Sequence, residues 1–131
     1  MEDYSIDIDR CINSKNQYDF AIVVQKHLKY KYQYLNNNWY QFNEKNNEYV
    51  LDNKGFNLSQ DIKNNVSALF QERAEFWNQK SLNEKDTNLI SDYKLKSCLL
   101  HNCVDRILNS KNDRFLHNIL QECKSLFAYN E

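Results

Sequence analysis

Between Lys29 and Asp52 the chain reads KYKYQYLNNNWYQFNEKNNEYVLD, and this stretch restricts the fold more than any other. Its seven aromatic residues mostly alternate with polar ones, a period of two that suits a half-buried strand and not a helix. Asn36–Asn38 and Glu44–Asn47 interrupt the pattern, and asparagine tolerates the left-handed backbone of a tight turn. The expectation is a small antiparallel β-meander. Its strands run from Lys29 to Leu35, from Trp39 to Asn43 and from Glu48 to Asp52. In the first strand Tyr30, Tyr32 and Tyr34 would share one face, with Lys29, Lys31 and Gln33 on the other.

On either side the period is helical. Phe20, Val23, Val24, His27 and Leu28 recur at helix spacing, with Asp19 as a cap. After Asn53-Lys54-Gly55, a cap at Asn57 or Ser59 opens a long helix whose stripe is Leu58, Ile62, Val66, Leu69, Phe70, Phe76 and Trp77. That helix should cover the sheet. Asn78–Asn88 is polar and reads as a connection or helical elbow. Two more stripes follow, one from Leu89 to Leu108 and one from Phe115 to Phe127, with Ser110 or Asn112 capping the second; together they predict an αα-hairpin. The fold class is therefore α+β and mostly helical. Residues 1–17 read as a loosely ordered lead-in, and residues 18–131 as one domain, as the length favours. Trp39, Phe42, Ile62, Val66, Phe70, Leu100, Ile107, Ile119 and Phe127 are the expected core.

Composition narrows the function. A net charge of −1 and a pI near 6.3 give no overall field toward nucleic acid or an anionic membrane, so any such contact is local. No apolar run approaches the roughly 20 residues of a membrane span, and no basic-then-apolar leader opens the chain. A soluble, unsecreted protein is expected. Cys11, Cys98, Cys103 and Cys123 form no CxxC pair and fall mostly on apolar stripes, which favours free, buried thiols. A single glycine leaves no phosphate-cradling loop.

No catalytic set is assembled, since His27, His101 and His117 lie on helices without a nucleophile at fixed spacing. Asp7 and Asp9 would share a face of a strand, as metal-holding carboxylates do, but the chain is short for the rest of such a site. Cys98, His101, Cys103, His117 and Cys123 are zinc-ligand types with awkward spacing, and core packing is the better reading. No catalytic or metal residue and no cofactor is therefore assigned. Lys26, Lys29, Lys31 and Lys54 with Tyr40 combine cations and rings as single-strand binders do, and they are the candidate nucleic-acid contacts.

The helix YDFAIVVQKHL from Tyr18, the tyrosine-rich strand, the Trp39-Tyr-Gln-Phe unit, the long helix after it and the ending NILQECKSLF from Asn118 carry a further signal. Over roughly residues 18–130 the chain resembles the accessory domain that precedes the superfamily 3 ATPase in poxvirus-type primase–helicases of large cytoplasmic DNA viruses. The resemblance implies a non-catalytic fragment of a DNA-replication protein working in the host cytoplasm. Its implied partners are other copies in a hexameric ring, the adjoining primase and ATPase domains, and single-stranded DNA. It implies no membrane, and ATP and magnesium belong to the parent. A free-standing protein-interaction adaptor is the alternative.

Overall fold

The computed structural model describes residues 3–14, 17–109 and 113–128. The helical stripe of residues 18–28 forms α2 (Tyr18–Leu28), which follows α1 (Ser5–Arg10) and a tight turn at Cys11–Asn13. The sheet follows as β1 (Tyr32–Leu35), β2 (Asn38–Asn43) and β3 (Glu48–Asp52), paired antiparallel in the order β1-β2-β3. Helix α3 (Phe56–Asp61), a π-helical turn (Ile62–Val66) and α4 (Ser67–Leu82) make the long helix, and α5 (Thr87–Leu108) and α6 (Asp113–Leu126) complete the chain. The α+β, mostly helical class is thus the observed one. The expected caps Ser110 and Asn112 lie outside the described residues.

The strand boundary differs from expectation. Lys29 keeps helical backbone and the Lys31 amide still donates to the Leu28 carbonyl, so the helix overruns and β1 begins at Tyr32. Tyr30 is consequently turned out, 80% exposed, while Tyr32 is buried. Asn36 and Asn37 both take positive φ, the two-residue turn whose twist matches the flanking strands. Phe42 is a correction to the core list: it is half-buried, because Trp39 faces inward and a residue three positions on in a strand faces out. The other eight expected core residues are buried.

The lead-in is also corrected. Residues 5–10 are helical, and Ile8 and Cys11 are buried in the main core. Asp9 fixes this segment to α4: Arg73 donates two hydrogen bonds to its carboxylate (2.9 and 2.6 Å) and the Trp77 indole a third (3.1 Å). Residues 78–82 of the expected connection continue α4, and Asp86 caps α5 by accepting from the Asn88 and Leu89 amides. The principal helix hairpin is α4 with α5, while α6 lies mainly on α2. Phe20 of α2 joins both layers, stacking on Phe70 and meeting Phe115 edge-on.

Candidate functional site

The sheet meets the helices around Trp39. Its indole contacts Tyr34 (4.9 Å between centroids) and Phe127 (5.6 Å), and it covers Gly55. Beside it, Asp52 ends β3 with its carboxylate buried, accepting the amides of Asn57 (2.8 Å) and Leu58 (3.0 Å). That caps α3 from a position five residues before Asn57, in place of the expected cap at Asn57 or Ser59. The Ser59 hydroxyl instead donates to the Gly55 carbonyl.

A second buried polar group lies where the π turn begins. The Asp61 carboxylate accepts from the Tyr32 hydroxyl (2.6 Å), pairs with the Lys31 ammonium (3.0 Å) and accepts from the Asn65 amide. Burial opposes ionisation of Asp61, but the hydrogen bonds from Tyr32, Lys31 and Asn65 outweigh it and hold its carboxyl below the usual range. Burial, followed by the bond to Asp61, raises the Tyr32 phenol. Since the folded carboxyl is the stronger acid, its contribution is complete above the unfolded value of about 3.9 and is lost as pH falls through the folded one. Asp61→Asn should therefore flatten the acid limb of stability against pH below about pH 4, measured by urea unfolding across the acid range. An unchanged acid limb would contradict this assignment.

The candidate nucleic-acid contacts do not gather into one face. Lys26 pairs with Asp7 at 2.9 Å and Lys31 with Asp61, so both are engaged within the fold. Lys29 lies over the Tyr30 ring at 5.0 Å. Lys54 is exposed in the left-handed turn after β3, and Tyr40 is half-buried on the outer sheet face. Three separate surface clefts contain Lys26, Lys29 and Lys31 respectively.

Nor do the other candidate sets converge. Asp7 and Asp9 lie on α1 rather than a strand and point apart, to Lys26 of α2 and Arg73 of α4. Among the described residues no three side chains of metal-ligating type come together. Cys98 is exposed, whereas Cys11, Cys103 and Cys123 are buried; burial pushes the Cys103 thiol up to about 11. His101 stands 4.0 Å from Glu75, and His117 faces Gln121 on its own helix. A cleft of about 430 Å³ between α1, α2 and α4 is walled by Tyr4, Ile8, His27, Leu69 and Phe76, with Arg73 at its edge already held by Asp9. No described helix is long and apolar enough to cross a membrane.

What the sequence reading missed is on the sheet. The register places Tyr40 beside Leu51 and Phe42 beside Tyr49 on the face opposite Trp39. Tyr49 and Leu51 are 36% and 57% exposed, and Val50 on the other face is 44% exposed. The signal is the period-two pattern of aromatic residues, which fills both sides of a sheet that, among the described residues, packs its Trp39 face on the helices. No family model and no curated protein matches this chain.

Proposed function

We propose that the domain is a non-catalytic assembly module that works by protein contact, in the manner of the accessory domain of a viral DNA-replication primase–helicase. The observation that favours protein contact over DNA guidance is the state of the lysines. Lys26 and Lys31 already hold Asp7 and Asp61, while the outer sheet face offers Tyr40, Phe42, Tyr49 and Leu51 to a neighbour. The resemblance carried by the Tyr18 helix, the Trp39-Tyr-Gln-Phe unit and the Asn118–Phe127 ending supplies the replication setting. In that setting the neighbours are further copies around the ring and the adjoining primase and ATPase, ATP and magnesium act in the parent, and the work is done in host cytoplasm. The adaptor alternative uses the same surface with a different partner.

Charge reversal separates the two modes. Lys29→Glu with Lys54→Glu should leave folding intact and any binding of single-stranded DNA unchanged. Lys31→Glu should instead destabilise the fold, because it faces the buried Asp61 with a like charge. Fluorescence anisotropy with a labelled oligonucleotide at low and high salt is the measurement. Tight binding that falls steeply with salt and is lost in the Lys29/Lys54 variant would replace assembly by DNA guidance.

A further inference from the structure

The two edges of the sheet are treated differently. On the β1 side, the Tyr34 amide donates to the Phe127 carbonyl (2.9 Å) and Ala128 bridges Tyr34, so the chain's own C-terminal segment covers that edge. The β3 side has no strand beside it among the described residues. Hydrogen-bond alternation fixes which groups face out there. The Phe42 amide donates to the Lys31 carbonyl, so Phe42 directs its backbone groups to β1 and leaves its opposite number Tyr49 unbonded on that side. The Tyr34–Phe127 bond obeys the same parity. Tyr49 and Leu51 therefore point their N–H and C=O groups away from the sheet, and Val50 points its own at Gln41.

Between its two acidic ends, β3 carries nothing that blunts that edge. The pairing with β2 is continuous from Trp39↔Asp52 to Asn43↔Glu48, without a bulge, and Glu48–Asp52 contains neither proline nor lysine. We infer that β3 pairs antiparallel with β3 of a second copy, joining two three-stranded sheets across a two-fold axis at Val50. The sequence complements itself in this register. Tyr49 of each copy meets Leu51 of the other, which satisfies the outward backbone groups of both, and Val50 meets Val50 in a non-hydrogen-bonded pair. Leu51 then has Tyr40 on one side and the second Tyr49 on the other, so the exposed rings of both sheets form one apolar strip. At the ends, Glu48 runs toward the point where Lys54 of the other copy emerges; both are exposed and neither has an ion-pair partner among the described residues. Asp52, opposite Glu48, keeps its carboxylate turned inward on the Asn57 and Leu58 amides. The pairing is isologous and closes at two. It stands apart from the replication setting, which needs only that the domain contact a protein neighbour.

The test combines mass, exchange and cross-linking on the full chain. Sedimentation should show the mass shifting from 15.8 kDa to twice that as concentration rises, with amide exchange slowing at Tyr49 and Leu51 and not at Glu48. In a Cys98→Ser background, Val50→Cys should link to itself under copper phenanthroline, since facing residues of a non-hydrogen-bonded pair stand roughly 4.5 Å apart at Cα. Tyr49→Cys or Leu51→Cys alone should not. Val50→Lys, at an exposed position, should restore 15.8 kDa with an unchanged far-ultraviolet spectrum. A monomer at every concentration overturns the inference. So does a dimer whose Tyr49 and Leu51 amides exchange as before, or protection at those amides gained only when a foreign extended peptide is added.

Discussion

Replacing Trp39 with alanine is expected to lower the stability of the domain by about 3–5 kcal/mol. The indole is 4% exposed and is the joint between the sheet and two helical segments, with Tyr34 and Phe127 against its ring and Gly55 beneath it. Removing it leaves a cavity that the short strands cannot close, because β2 is held on both sides by its neighbours. Urea unfolding followed by circular dichroism gives the number. A loss below about 1 kcal/mol, the range of surface substitutions, would mean that Trp39 is not the joint.

Gly55→Ala should cost about 2–5 kcal/mol from two separable sources. Gly55 has φ of +70°, a left-handed backbone in which any Cβ costs roughly 1–2 kcal/mol. A Cβ there would also lie 3.0 Å from Cδ1 of Trp39, so the indole must shift in a packed core, at about 1–3 kcal/mol more. The two residues should therefore couple. In a Trp39→Ala background the steric part vanishes and Gly55→Ala should cost only about 1–2 kcal/mol, a non-additivity that a double-mutant cycle reads directly. Strict additivity would show that the contact carries no energy. The chain's one glycine thus stands where both backbone and neighbour exclude a side chain.

Most of this architecture was legible because local periods dictate it. The meander declares itself through alternation and through asparagines that do adopt left-handed backbone at 36, 37 and 47. What stayed hidden depends on partners distant in sequence. Helix α1 is too short to show a period, and its attachment through Asp9 reaches Arg73, 64 residues away. The pairing of α4 with α5 in place of α5 with α6 is set by packing that each stripe alone leaves open. The surroundings of the candidate lysines stayed hidden for the same reason. Sequence reveals a lysine's charge but not its counter-ion, and Lys26 finds Asp7 19 residues back while Lys31 finds Asp61. Phe42 was misplaced for a different reason. Hydrophobicity alone put it inside, where the strand period from Trp39 puts it on the outer face.

Action by protein contact is tested most directly by sedimentation velocity of the chain over a range of concentrations, with and without a labelled single-stranded oligonucleotide. The predicted result is a sedimentation coefficient that rises with protein concentration and is indifferent to the oligonucleotide, which sediments separately. A chain that stays monomeric at every concentration and shifts only when the oligonucleotide is added at low salt would contradict it.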